Sequence, residues 1–114
     1  MNYTQNEPPI FHKTYELALW LYPIVNKFPK SQRFVLGQRI ENALLDFLDL
    51  LIEAKLSRIK MDSLQKASVK IDKLRILMRL AKDFMFINIK QYSFVSANVD
   101  EIGRMLGGWL KSLS

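Results

Sequence analysis

Apolar residues recur with a helical repeat along residues 63–88, and this segment organises the prediction for the whole chain. It contains no Gly or Pro. At about 100° per residue, one set of apolar side chains forms a narrow stripe with steps of four and three: Ala67, Ile71, Leu74, Met78, Ala81 and Met85. Such heptad spacing is typical of a helix packed nearly parallel to its neighbours. We therefore predict a long bundle helix, capped by Asp62 or Ser63.

A second apolar stripe and two basic rows occupy the rest of this helix. The second stripe lies roughly opposite the first: Val69, Ile76, Leu80 and Ile87. The basic rows flank it: Lys66, Lys70 and Lys73 on one side, and Arg75, Arg79 and Lys82 on the other. An ordinary surface helix has one apolar face. The second stripe therefore predicts an oligomer interface, and the basic rows are predicted to remain at the surface.

Two further helices are predicted before this one. The first spans about residues 10–27, with Pro9 in its first turn, where a missing N–H is harmless. Pro23 is predicted to kink this helix or, alternatively, to break it. The second spans about residues 32–56 behind Ser31, a suitable N-cap.

The last helix is predicted at residues 96–112, behind a capping box of Asn98 and Glu101. Residues 89–95 lack a clear helical period and are predicted to be a connection. Three glycines in this last helix permit close approach of another backbone or leave a flat groove: Gly103, Gly107 and Gly108. The alternative is that the helix ends or frays at Gly107 and Gly108. Four helices with short connections predict an all-α, up-and-down four-helix bundle. Residues 9–114 would form this single domain, and residues 1–8 a flexible arm.

Composition narrows the class of protein. Of 114 residues, 49% are hydrophobic and 25% charged, which is typical of a globular domain. The absence of cysteine excludes disulfides and thiolate sites and fits the cytoplasm, the predicted location. No signal peptide or membrane span is expected. A net charge of +6 favours polyanionic partners, chiefly nucleic acid.

Candidate catalytic chemistry is sparse. His12 is the one histidine and is expected at the surface. The acids lack the Glu-x-x-His pattern of di-iron bundles, and the glycines near residue 105 follow no strand. We therefore predict no metal, no cofactor and no enzymatic activity.

The aromatic side chains can have one of two roles: nucleic-acid bases can stack on them, or they can fill the core. Seven are considered: Trp20, Tyr22, Phe28, Phe34, Phe47, Phe84 and Phe86. Helical spacing favours the core, except for Phe84 and Phe86, which fall near the basic rows.

Three stretches are characteristic of a known family: FPK followed by RFVLGQRI within residues 28–40, LRILMRL at residues 74–80, and EIGRMLGGW at residues 101–109. Together they resemble the Avd-like family of bacterial four-helix bundle proteins over about residues 10–112. This family includes the accessory variability determinant of diversity-generating retroelements. It also includes proteins encoded in intervening sequences of large-subunit ribosomal RNA genes. The last stretch, EIGRMLGGW, favours the retroelement branch of the family.

The resemblance implies a homopentameric barrel that binds RNA or DNA and associates with a reverse transcriptase during mutagenic copying of a template RNA. On this hypothesis the phosphate contacts are Lys66, Lys70, Lys73, Arg75, Arg79 and Lys82, with Arg33, Arg39, Arg104 and Lys111 in second rank. The alternative is a protein-interaction scaffold of the ribosomal intervening-sequence type, whose basic rows meet acidic residues. Binding to a membrane surface is a weaker hypothesis, because both apolar faces of the third helix are expected to be used in packing.

Overall fold

The computed structural model describes residues 7–114, and this part of the chain forms four long helices and one single-turn helix. These are α1 (Pro9–Asn26), α2 (Lys30–Arg33), α3 (Leu36–Leu56), α4 (Met61–Asp83) and α5 (Ile89–Ser112). In sequence order each long helix packs on the next, and α5 closes the bundle against α1. The predicted all-helical four-helix bundle is confirmed, with no strand among the described residues. Most of the predicted arm, residues 1–6, lies outside the described residues.

The predicted core stripe of α4 is confirmed over five of its six positions. Ala67, Ile71, Leu74, Met78 and Ala81 are all buried. Met85 was wrongly placed on this stripe: it is 86% exposed. The reason is that α4 ends at Asp83 and Met85 adopts a left-handed φ of 62° in the following loop. A non-glycine residue seldom adopts this conformation.

The connection between α4 and α5 is shorter than predicted. Residues 89–95 are helical, and α5 begins after Asn88, whose side chain accepts a hydrogen bond from the Gln91 backbone N–H at 2.7 Å. Gln91 Oε1 accepts from the Asn88 N–H at 2.9 Å, which completes a capping box. The box predicted at Asn98 is therefore wrong. The Asn98 side chain lies within the helix and donates to the Phe94 carbonyl oxygen.

The starts of α3 and α4 also differ from the prediction. The Ser31 cap is wrong, because Ser31 lies inside α2 and α3 begins only at Leu36, without a side-chain cap. Neither Asp62 nor Ser63 caps α4, which follows Lys60. α1 continues through Pro23, which rules out the alternative of a break there.

Gly37 is required by the close approach of α1 and α3. A Cβ atom at this position would lie 2.7 Å from Val25 Cγ1, closer than side-chain atoms normally approach. This contact explains why a glycine stands in the first turn of a helix, where it would otherwise be unfavourable.

Candidate nucleic-acid interface

The packing of α4 separates its two basic rows. α4 lies between α3 and α5 in the bundle. Lys70 from one row therefore faces α3, where it pairs with Asp46, and Arg75 from the other row faces α5, where it pairs with Asp100. The surface is thus divided into two clefts, one on each flank of α4.

The α3/α4 cleft contains three cations and one carboxylate. It encloses about 210 Å³ and is lined by Arg39, Asn42, Ala43, Asp46, Lys70 and Lys73. Lys70 Nζ lies 3.4 Å from the Asp46 carboxylate. Within residues 7–114, Arg39 and Lys73 form no ion pair. The cleft therefore has an excess of positive charge and a neighbouring amide donor, a combination that fits a phosphate group.

The α4/α5 cleft contains as many carboxylates as cations. It encloses about 390 Å³ beside the backbone of Gly103 and Gly107. Arg75 Nη1 donates to Asp100 Oδ1, and Arg75 Nε lies 4.0 Å from Asp72 Oδ1. Arg104 is the second cation of this cleft. A phosphate would have to compete here with two carboxylates for Arg75, whereas Arg104 forms no ion pair with a described residue.

Two other lysines of the basic rows already have partners. Lys66 Nζ lies 3.2 Å from Asp62, one helical turn earlier. Lys82 Nζ lies 3.3 Å from Asp83 and 4.6 Å from the centre of the Tyr92 ring. These lysines remain at the surface, but part of their charge is balanced locally.

The remaining predicted cations are dispersed. Arg79 and Lys111 are exposed and form no ion pair within the described part of the chain. Arg33 lies in α2 and is half-buried, and its Nε has no hydrogen-bond partner there. The sequence-based prediction ranked Arg39 below α4, yet it is the residue that joins Lys70 and Lys73 in one cleft.

The second apolar stripe of α4 is exposed at Val69, Ile76 and Leu80. Ile87 was wrongly grouped with it. Because α4 ends at Asp83, Ile87 belongs to the following loop and packs into the core, where it is 5% exposed. It therefore has almost no surface to offer a second subunit.

The sequence-based prediction missed an exposed apolar face on α1 and α3. Its members are Tyr15, Leu19, Leu45, Ile52 and Leu56. The second stripe of α4 and this face lie on different sides of the bundle, because α3 separates α1 from α4.

Burial raises the pKa of Glu41, which lies outside both clefts. Burial, and to a smaller extent the Glu41 charge, raises the pKa of Tyr22.

The aromatic side chains divide between the core and one end of the bundle. Phe28 and Phe47 are fully buried, and Trp20 and Phe86 pack partly buried against the core. Phe84 is 57% exposed, as predicted for a ring outside the core. The same prediction was wrong for Phe86, because the loop after α4 turns its ring onto the buried Phe28. Phe34 was predicted in the core and is 72% exposed, because it lies in the turn between α2 and α3.

Residues 7–114 contain no group of three or more His, Asp or Glu side chains arranged to hold a metal ion. In the same range, no helix is both long and apolar enough to cross a membrane.

Comparison with known proteins agrees with this architecture. The model of the bAvd-like family matches residues 10–113. Among solved structures, a protein with unknown function from the S23 ribosomal protein family of Bacteroides thetaiotaomicron VPI-5482 has a TM-score of 0.83 to this chain. The two are 18% identical, and the match covers 90% of this chain and 96% of that one. At this identity the likeness shows the fold. No curated protein matches the chain.

Proposed function

The chain belongs to the bAvd-like family, and on that premise we propose that it is a non-enzymatic, nucleic-acid-binding accessory protein of a diversity-generating retroelement. In this proposal it binds the reverse transcriptase together with template RNA or cDNA and supports mutagenic reverse transcription in the cytoplasm. The observation that supports nucleic-acid binding most directly is the convergence of Arg39, Lys70 and Lys73 in the α3/α4 cleft.

The proposed binding mode is contact with the phosphate backbone. The Arg39 guanidinium can donate two parallel hydrogen bonds to one phosphate, and Lys73 acts as a compact positive charge beside it. Such contacts position a nucleic acid without reading its sequence, and they weaken steeply as salt rises. Selection of the template RNA would then come from the reverse transcriptase or from the shape of the RNA.

We propose that the exposed apolar surfaces form the contacts of a homopentamer. A closed ring with an odd number of subunits needs two different contact surfaces on each subunit. One would be the second stripe of α4, which comprises Val69, Ile76 and Leu80. The apolar face of α1 and α3 offers the other. Burial of exposed apolar side chains is the usual driving force of such assembly.

The test is the mass of the protein in solution, by light scattering, with and without a structured RNA at low and moderate salt. A pentamer with salt-sensitive RNA binding is expected. A monomer would contradict the assembly, and a pentamer indifferent to RNA would contradict the nucleic-acid role.

A second candidate function is an oligomeric protein-interaction scaffold of the ribosomal intervening-sequence type. The ion pairs of the α4/α5 cleft favour it, because they show that Asp side chains of this chain already satisfy some of its basic residues. A scaffold would assemble through the same apolar surfaces and show no salt-sensitive affinity for RNA.

A further inference from the structure

Two loops meet at one end of the bundle and expose apolar side chains there. Residues 27–35 join α1 to α3, and residues 84–88 join α4 to α5. The loops are in contact, since the ring centres of Phe28 and Phe86 are 5.5 Å apart. The exposed apolar side chains of this "aromatic end" are Phe34, Val35, Phe84, Met85 and Ile89. Isolated exposed apolar residues need no explanation, but five of them on two touching loops and the adjoining first residue of α5 indicate a binding surface.

The rings of the aromatic end form a row that runs from the core to the surface. Phe28 is buried, Phe86 is half-buried, and Phe84 is more than half exposed. Phe84 stacks on Phe86 with ring centres 5.5 Å apart and an angle of 24° between their planes. Because one face of Phe84 rests on Phe86, its exposed surface comprises the other face and the edge. A planar ligand can therefore extend the row by one ring.

The chain next to these rings carries unpaired lysines. Lys27, Lys30 and Lys90 are exposed, and none of them forms an ion pair with a described residue. The carboxylate of Asp83 pairs with Lys82. Phe86, Met85 and Ile89 line a cleft of about 690 Å³, together with Lys82 and its partner Asp83. Flat rings, adjacent cations and an open cleft together fit a ligand that has both aromatic rings and phosphates.

We infer that the aromatic end binds unpaired nucleotides of a single-stranded nucleic acid. Bases stack on Phe84 and Phe34, and the adjoining phosphates contact the lysines around them. Bases in a duplex are already stacked and cannot reach these rings, so this end selects single strands, whereas the α3/α4 cleft accepts any phosphate backbone. The inference rests on the proposed nucleic-acid function and adds a preference that the cleft alone does not provide.

The test compares an oligo(dT) strand of about 20 nucleotides with a duplex of the same length. The variant is Phe34→Leu/Phe84→Leu, which keeps the apolar character of both positions and removes their rings. Fluorescence anisotropy should show about a tenfold loss of affinity for oligo(dT), because each lost stack weakens single-strand binding. Affinity for the duplex and the salt dependence should stay unchanged, because no cation is removed.

Phe94→Leu is the matched control, because Phe94 is also partly exposed but packs on Trp20, with ring centres 4.7 Å apart, away from the two loops. It should bind both nucleic acids like the original chain. An unchanged affinity of the double variant for oligo(dT), or an equal loss for strand and duplex, would overturn the inference and leave the cleft proposal standing. Failure of the original chain to bind either nucleic acid would overturn both.

An anionic lipid surface is the competing ligand for an apolar, basic end. Vesicles of phosphatidylcholine with about a quarter phosphatidylglycerol distinguish it. Leucine also inserts into lipid, so binding to vesicles would persist in the double variant. Tight vesicle binding together with an unchanged affinity for oligo(dT) would assign the end to membranes and overturn the inference.

Discussion

The two clefts that flank α4 differ in charge balance rather than in the number of basic residues nearby. The α4/α5 cleft is the larger, at about 390 Å³ against about 210 Å³, and it contains two arginines. Asp72 and Asp100 both pair with one of them, Arg75, however. In the α3/α4 cleft a single carboxylate, Asp46, faces three cations. A basic row along a helix therefore does not locate a phosphate site until the residues of the neighbouring helix are known.

The difference matters because a phosphate competes with carboxylates for the same donors. Arg75 already donates to Asp100, and a phosphate could take its place only by leaving that carboxylate without its partner. Arg39 and Lys73 have no such partner among the described residues, so a phosphate can approach them without displacing a protein group. We therefore expect the smaller cleft to account for most of the electrostatic affinity.

The largest effect is expected from Arg39→Ala/Lys73→Ala. Affinity for RNA and duplex DNA at low salt should fall about tenfold or more, and the salt slope should drop by about 2, because two phosphate contacts are lost. Both residues are exposed, so the free energy of unfolding should change by less than about 1 kcal/mol. Anisotropy titrations at several salt concentrations measure the affinity, and thermal unfolding checks the fold. An unchanged salt slope would contradict the assignment of the cleft.

Asp100→Asn should make the charge balance of the α4/α5 cleft more like that of the α3/α4 cleft. It takes away the carboxylate that holds Arg75 and leaves the side-chain shape almost unchanged. Affinity for duplex DNA at low salt should rise about fivefold, with a steeper salt dependence, because the cleft gains net positive charge. The same titration measures the change. A loss of affinity would show that the Arg75–Asp100 pair has a structural role in binding.

Asp46→Asn should raise affinity less, by about threefold, because Lys70 is only one of three cations in the α3/α4 cleft. The effect should disappear when Arg39 and Lys73 are already replaced by Ala, since the freed lysine would then act alone. A double-mutant cycle measures this dependence. Equal effects of Asp46→Asn in both backgrounds would argue that the three cations do not share one ligand.

The smallest effect is expected from Arg75→Ala/Arg104→Ala, the matched control for the first variant. Because carboxylates already pair with Arg75 and leave only Arg104 to meet a phosphate, affinity should fall by less than about threefold and the salt slope by no more than about 1. A loss as large as that of the Arg39/Lys73 variant would show that net charge alone, rather than the α3/α4 cleft, determines binding.

The sequence was sufficient for features that depend on one helix. The apolar spacing from Ala67 to Ala81 placed the core side of α4 correctly, because a bundle helix repeats the same burial every heptad. The start of α5 was missed, although Val95 extends the buried row of Val99, Ile102 and Leu106 into the end of the disputed segment, residues 89–95. Polar and aromatic residues at positions 90–94 obscured that row, and Asn98 offered a plausible cap inside the helix.

Features that depend on the packing of two helices could not be predicted from the sequence. The pairing of Lys70 with Asp46 and of Arg75 with Asp100 is decided by the register between neighbouring helices, which no single-helix periodicity reports. For the same reason Arg39 was ranked too low, although it completes the α3/α4 cleft. Phe34 was misplaced because the chain forms a separate single-turn helix before α3, and the turn after it points the ring to solvent.

Gly37 has a mechanical consequence for the α3/α4 cleft. It allows α1 and α3 to pack closely, because any side chain at this position would clash with Val25. We expect a clash in this first turn of α3 to push that end of the helix away from α1. Arg39, two residues further on, would move with it. The position of Arg39 beside the α3/α4 cleft therefore depends on a residue that has no side chain.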